Sequence, residues 1–241
     1  MSFDVVKFCG LSFKGVTRSI LLRESEYLKL IITVNAEFIV EAYKDKKFMA
    51  IINDNYSTFD GQVPYFFSKL LSPHDAEKIS GSDFIYDVID RCKATGQTIF
   101  LLGDNRVNNR AAVEYVKEKF GVNCVGFSPT FEPYPFSKQN DMQIRSELEK
   151  VNIDYLFVGF GAKKQEFWMS DNYDYLQSLG IRAAVGCGGT FGFLSQNIKR
   201  APVIIQRMGL EGFFRFVKEP KLFRFRRLIK SFVFFKYIFK K

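Results

Sequence analysis

The stretch Asp154–Trp168, D-Y-L-F-V-G-F-G-A-K-K-Q-E-F-W, has the pattern of a strand running into a helix. Tyr155–Val158 is a short apolar run of the kind a buried strand shows. Gly159 and Gly161 punctuate it. The polar residues Lys163–Glu166 then lead into a periodic stretch through Phe167, Trp168, Tyr175, Leu176 and Leu179. In an open α/β sheet such a junction lies at the carboxyl end of the strands, where ligands collect. Glycine lets the backbone approach a ligand closely, and the first N–H groups of a helix favour an anion. A polar-ligand site is therefore expected beside Gln165 and Glu166. A tight turn with a solvated helix start is the plain alternative.

The same alternation extends in both directions. Upstream, Asn123–Phe127 reads as a strand, Pro129–Phe136 as a loop and Ser137–Lys150 as a helix. Thr98–Leu102 is an apolar strand followed by Gly103 and the polar loop D-N-R-V-N-N. Arg110–Phe120 is a helix stopped by Gly121. Ser82 or Asp83 can cap a helix over Phe84–Ala94. Val63–Leu71 is a helix ended by Ser72-Pro73. Leu28–Val34 is a strand, followed by Asn35 and a helical Ala36–Tyr43. Phe48–Ile52 and Phe8–Phe13 are read as short strands, and Asn53–Gly61 as a polar stretch before a helix. Downstream, Arg182–Val185 runs into the Gly-rich G-C-G-G-T-F. Strands alternating with helices imply an α/β, Rossmann-like fold, a largely parallel sheet with helices on both faces.

The chain has 241 residues, enough for one sizeable α/β domain and an appendage. Its net charge of +9 is uneven. Residues 199–241 hold 13 Lys/Arg against two acids, a charge of +11, and the remaining 22 basic and 24 acidic residues give −2. The expected division is an α/β domain over 1–197 and a basic, aromatic, helical C-terminal appendage over 198–241. Cys9, Cys92, Cys124 and Cys187 are widely spaced and read as reduced core thiols of a cytosolic protein. The N-terminus has neither a basic n-region nor a long apolar run, so no signal peptide is expected. No apolar run reaches the ~18 residues of a membrane-spanning helix.

Several chemistries fit poorly. His74 is the one histidine, and S-P-H-D reads as a surface turn rather than part of a Ser-His-Asp triad. Neither a Walker loop nor a D-x-D metal motif occurs, and the cysteine and histidine spacings suit no zinc site. G-C-G-G-T-F-G comes too late in the chain for a dinucleotide loop. What remains is a set of polar residues at strand ends: Thr33, Asn35, Asp60, Gln165 and Glu166. Asp60, before Gly61, suits a general base if it reaches a substrate hydroxyl, and equally suits an Asp-Gly turn that caps a helix.

The appendage supplies Lys199, Arg200, Arg207, Arg215, Arg224, Arg226 and Arg227. Arginine forks match phosphate oxygens and can offset charge on a diphosphate leaving group; a solvated basic face is the alternative. Lys221–Lys241 holds eight Lys/Arg, seven aromatics and no acid. Phe225, Leu228, Ile229, Phe232, Phe235 and Phe239 fall at helical spacing, which suits the interface of an anionic bilayer. Single-stranded nucleic acid or a packed helix are the other readings.

Nine motifs occur in order: T-V-N-A-E (Thr33–Glu37), F-D-G (Phe59–Gly61), G-S-D-F (Gly81–Phe84), F-L-L-G (Phe100–Gly103), V-G-F-G-A-K-K-Q-E (Val158–Glu166), V-G-C-G-G-T-F (Val185–Phe191), K-R-A-P (Lys199–Pro202), G-L-E (Gly209–Glu211) and E-P (Glu219–Pro220). Together they resemble the WecG/TagA/CpsF glycosyltransferase family. The resemblance implies an inverting transferase that needs no metal or other cofactor. It would move a sugar from a UDP-sugar to a polyprenyl-diphosphate-linked sugar, at the inner face of the cell membrane, in cell-surface polysaccharide synthesis. On that resemblance Asp60 is the base, and Thr33 and Gln165 act with it. Asn35, Lys78, Gly103, Glu166, Gly188, Arg200, Arg215, Arg224, Arg226 and Arg227 hold substrate. The expected partners are the UDP-sugar, the lipid-linked acceptor and an anionic membrane surface, with no nucleic acid. Exposed phenylalanine is also compatible with a homo-oligomer.

This chain departs from the family pattern at Lys78 (usually Arg), Lys163 (usually Pro), Gly192 (usually Asp) and Gly212 (usually Trp). Those departures leave a second reading open, a non-catalytic basic module that binds a membrane or a polyanion on a degenerate nucleotide fold. A nicotinamide oxidoreductase on a similar sheet is a third.

Overall fold

The computed structural model describes residues 5–198, 200–202, 204–205, 208–218, 220, 222, 225, 229 and 232–240. The chain forms two compact units. One comprises Met1–Ile20, Ile32–Ser80 and Arg200–Lys241, the other Leu21–Ile31 and Gly81–Lys199.

In the first unit, β1 (Val6–Phe8) and β2 (Leu11–Phe13) pair antiparallel, with Val6 opposite Phe13. The single strand expected over Phe8–Phe13 is thus a hairpin. Cys9 and Gly10 both have positive φ, 52° and 67°, as a two-residue turn matched to strand twist requires. α1 (Arg18–Leu22) precedes β3 (Lys29–Val34), which is buried throughout. Asn35 caps α2 (Ala36–Ala42) by accepting the Phe38 N–H.

Phe48–Ile52 belongs to a helix, α3 (Lys46–Asp54), not to the expected strand. Phe48, Ile51 and Ile52 share one buried face, and Asp45 accepts the Phe48 N–H as N-cap. A cap plus an i, i+3, i+4 stripe outweighs the β propensity of a short apolar run. The strand lies in the stretch read as polar: β4 is Tyr56–Phe59, with Ser57, Thr58 and Phe59 buried. Its hydroxyls are satisfied inside the fold, for example Thr58 Oγ1 donating to the Ile79 carbonyl at 2.8 Å. α4 (Gln62–Leu71) follows.

The second unit continues with α5 (Gly81–Thr95), β5 (Ile99–Gly103), α6 (Arg106–Phe120), β6 (Cys124–Phe127), α7 (Lys138–Leu148), β7 (Tyr155–Gly159), α8 (Lys164–Asp171), α9 (Tyr173–Ser178), β8 (Ala183–Gly186) and α10 (Thr190–Leu194). Two helices start earlier than their sequence suggests. Ser82 and Asp83 sit within the first turn of α5 and do not precede it. Asn105 caps α6, so Arg106–Asn109 are helical and not loop. Asn109 is buried there, and its amide donates to the carbonyls of Leu101 and Gly103, both at 2.9 Å.

Six strands form one sheet in the order β4-β3-β8-β7-β5-β6, and β5·β6, β5·β7 and β7·β8 run parallel. With its flanking helices this is the expected Rossmann-like α/β architecture.

The C-terminal segment contains α11 (Glu211–Lys218) and a 3₁₀ turn, Phe234–Tyr237. Between them the described residues Leu222, Phe225, Ile229, Phe232 and Val233 are helical. Phe234 and Ile238 are buried. Phe234 packs on Phe8 and Phe67, and Tyr237 stacks on Tyr43 with centroids 4.2 Å apart. Phe225, Ile229, Phe232, Phe235 and Phe239 are exposed, Phe232 by 71% and Phe239 by 82%. Leu228, also expected on that face, lies outside the described residues. Among the described residues no helix is long and apolar enough to cross a membrane.

Candidate active site

In the first unit, the carboxyl ends of β3 and β4 meet. Asp60 follows β4 directly, and its N–H donates to the Val34 carbonyl at 2.9 Å. That bond places Asp60 beside Thr33 and Asn35. Thr33 is buried and Asp60 half-buried. Asn35 Oδ1 accepts the Phe38 N–H at 3.1 Å. That bond orients the amide and leaves its Nδ2 as a donor. Lys78 joins the group: it pairs with Phe59 in a parallel bridge, and the Ile79 N–H bonds the Phe59 carbonyl at 2.9 Å.

The N-cap of α4 is Gly61, at φ 105°, with no side-chain cap. Asp60 stands one residue before it, outside the N-cap position itself. The 208–210 turn reaches the same place. Gly209 has φ 74°, and a Cβ there would lie 2.9 Å from Val63 Cγ2 and 3.5 Å from Gln62 Cβ. The G-L-E motif is thus seated on the first turn of α4, next to Asp60-Gly61.

His74 is not in a loose surface turn. Its ring stacks on Phe59 at 5.6 Å, Nδ1 accepts the Ala76 N–H, and Nε2 bonds Ser68 Oγ at 3.0 Å. Burial lowers its pKa first, and Lys69 lowers it further. It packs as a structural imidazole.

In the second unit, the remaining candidate residues lie at the ends of β5, β7 and β8. Gly103 has φ 106°, and a Cβ there would lie 2.9 Å from the Gly159 carbonyl, so only glycine suits it. Asp104, at φ 56°, donates its N–H to that carbonyl. Gly81, at the start of α5, presses on Cys187: a Cβ there would lie 2.9 Å from Cys187 Cα.

Gln165 and Glu166 open α8, and both are buried. Gln165 Nε2 donates to Glu166 Oε1 at 2.6 Å, and Gln165 Oε1 accepts the Gly188 N–H at 3.1 Å. Burial pushes the Glu166 carboxyl up to about 7, against the Gln165 amide and the N–H groups of Glu166 and Lys163. The same environment raises the Cys187 thiol, first by burial, then through Asp104 and Glu166.

Two departures from the family pattern have local explanations. Lys163 has φ 67°, a value the proline ring forbids. At Gly192 a Cβ would lie 2.6 Å from Ile198 Cδ1, so a side chain there would require the end of Ile198 to move.

Within the first unit Thr33, Asn35, Asp60 and Lys78 therefore form one group, and within the second Gly103, Gln165, Glu166 and Gly188 lie at the ends of β5, β7 and β8. Arg200 is described and half-buried. Arg224, Arg226, Arg227 and the Arg215 side chain lie outside the described residues, as do Lys199 and Arg207. Two site features escaped sequence reasoning. Gly186 faces the Gln165–Glu166 pair, where a Cβ would lie 2.7 Å from Glu166 Oε1. The seat of Gly209 on Val63 is the other. Both depend on contacts between distant segments, and their only trace in the sequence is a glycine.

Comparison with known proteins gives a consistent result. The chain is 26% identical over 201 residues to an N-acetylglucosaminyldiphosphoundecaprenol N-acetyl-beta-D-mannosaminyltransferase of Bacillus spizizenii, covering 83% of this chain and 74% of that protein. A Bacillus subtilis protein of the same name is 26% identical over 202 residues, covering 83% and 75%. One from Staphylococcus aureus is 26% identical over 219 residues, covering 87% and 83%. The model of the Glycosyl transferase WecG/TagA/CpsF family matches residues 2–241, nearly the whole chain, and the protein belongs to that family.

Proposed function

We propose that this glycosyltransferase moves an N-acetylmannosamine unit from its UDP-sugar to N-acetylglucosamine carried on a polyprenyl diphosphate, with inversion at C1. The family match over residues 2–241 carries the reading, and the names of the relatives supply the two sugars. The placement of Asp60 beside Val34 and Asn35 at the strand ends is what supports its role.

The chemistry is a single displacement. The acceptor hydroxyl attacks C1 while the Asp60 carboxylate takes its proton, and the bond from C1 to the UDP oxygen breaks. Thr33, Asn35 and Gln165 orient the sugars. Lys78 and the cationic C-terminal segment, with Arg200, Arg215, Arg224, Arg226 and Arg227, offset the charge that develops on UDP, so no metal is assigned to the step. Residues 1–197 would carry the sheet and most of the site, and 198–241 would close it at an anionic membrane surface. The exposed Phe225, Ile229, Phe232, Phe235 and Phe239 and the +11 charge of 199–241 support that surface. The inner face of the cell membrane is the proposed location.

The test is incubation with UDP-N-acetylmannosamine and a short-chain lipid-diphosphate N-acetylglucosamine, read by mass. Asp60→Asn should lose turnover by roughly 10²–10⁴-fold and keep UDP binding. Wild-type rates in that variant would remove Asp60 from the role.

The departures from the family pattern at Lys163 and Gly192 keep one other reading, a non-catalytic basic module. Calorimetry with UDP separates the two, because the module would show no binding at millimolar UDP.

A further inference from the structure

Glu166 is fully buried at the third position of α8, yet it carries a carboxylic acid. Its oxygens are treated unequally. Oε1 accepts the Gln165 amide, whereas Oε2 makes no hydrogen bond. Such a group is costly to keep, since a buried acceptor without a partner forfeits its hydration. Burial also raises its pKa to about 7, because it disfavours the charged form.

The neighbouring carboxamide shows what the acid does. Gln165 is held at both ends: Oε1 by the Gly188 N–H, Nε2 by Glu166 Oε1. A carboxamide so held cannot exchange its oxygen and nitrogen ends without losing both bonds. One N–H of Nε2 is left over as a donor. Ionised, or protonated at Oε2, the Glu166 carboxyl presents Oε1 to Gln165 as an acceptor and fixes this polarity, whereas an amide at 166 could satisfy Gln165 in either sense. Gly186 completes the arrangement, because a Cβ there would lie 2.7 Å from Glu166 Oε1 and 2.9 Å from Gln165 Nε2.

We propose that Glu166 is a positioning residue that locks the Gln165 carboxamide with one Nε2–H directed to an oxygen of the bound sugar. This rests on the reading of Gln165 as a sugar-orienting residue, and it assigns both the sense of that contact and the group that enforces it. Glu166 acts through Gln165 and does not touch substrate.

Two measurements test it. The first needs no substrate. Side-chain ¹⁵N spectra of glutamine-labelled protein should show a Gln165 carboxamide with one proton strongly shifted and slow to exchange. That signature should disappear in Glu166→Ala and weaken in Glu166→Gln, the variant that keeps the volume if the alanine does not fold. Unchanged Gln165 signals in a folded variant would overturn the lock.

The second is a double-mutant cycle on turnover with UDP-N-acetylmannosamine. Glu166→Gln should lower kcat/KM about tenfold in the wild-type background, the loss of one oriented hydrogen bond, and not at all in a Gln165→Ala background. Equal losses in both backgrounds would show that Glu166 acts independently of Gln165 and would overturn the proposal. Should no sugar nucleotide turn over, the transferase reading is lost, while the spectra still decide the orientation of Gln165.

Discussion

Gly209 and Val63 are in contact: a Cβ on Gly209 would lie 2.9 Å from Val63 Cγ2, and Gly209 holds φ 74°. Both features exclude a side chain. Gly209→Ala must accept a left-handed backbone and push on the first turn of α4, a combined cost of about 1–3 kcal/mol. The expected result is a lower urea midpoint. Trypsin should also cut the Lys/Arg-rich 199–241 segment faster, because the turn that seats it has been displaced. Unchanged digestion would mean that the segment is held elsewhere.

Glu166 gives a pH dependence whose sign follows from its environment. Its carboxyl rises from 4.5 to about 7 in the fold. Below about 4.5 the group is protonated in both folded and unfolded chains and has no effect. Between about 4.5 and 7 the unfolded chain releases the proton and the folded one keeps it, so stability falls as pH rises. Above about 7 the loss is complete, at ~3 kcal/mol for a shift of this size. Glu166→Gln does not titrate. The stability difference between variant and wild type should therefore move in the variant's favour from pH 5 to pH 8, as read by urea unfolding at both. A difference independent of pH would show that Glu166 is not held neutral.

The C-terminal phenylalanines should separate into two classes. Phe234 is fully buried against Phe8 and Phe67, and Phe234→Ala should cost about 3–5 kcal/mol. Phe232 and Phe239 are exposed, and the pair of changes Phe232→Ser and Phe239→Ser should leave stability within roughly 0.5 kcal/mol per site. The same pair should weaken co-sedimentation with phosphatidylglycerol vesicles. Full vesicle binding by the double variant would assign these rings to some other surface.

Lys163 has φ 67°, so Lys163→Pro, although it restores the residue usual in the family, should lower the melting temperature. A neutral or stabilising proline would show that the turn before α8 can adopt a second backbone path.

Much of the architecture was legible in local sequence. The glycines after β5, β7 and β8 and the caps at Asn35 and Ser137 signal their elements within a few residues. The errors were at α3 and β4. Residues 48–52 are apolar and could belong to either element, and the side-chain oxygen of Asp45 settles the matter. Tyr56–Phe59 looks polar because its buried hydroxyls find backbone partners far away in the chain, such as the Ile79 carbonyl. Of the candidate site, Gln165 and Glu166 were legible because they follow a strand pattern, and Asp60 because an Asp-Gly pair precedes a helix. The bond from Asp60 N–H to Val34, the glycine bed of Gly186 and the seat of Gly209 were not.

The chain's local chemistry was enough to establish the alternating α/β order, the family and the cationic, phenylalanine-rich end, because propensity, capping and charge act over a few neighbours. Folding alone settled which end of the Gln165 amide is held, which tail phenylalanine is interior, and why Gly209 and Gly186 lack side chains. Those outcomes turn on distances of about 3 Å between residues far apart in the chain, and short-range sequence patterns carry no record of such distances.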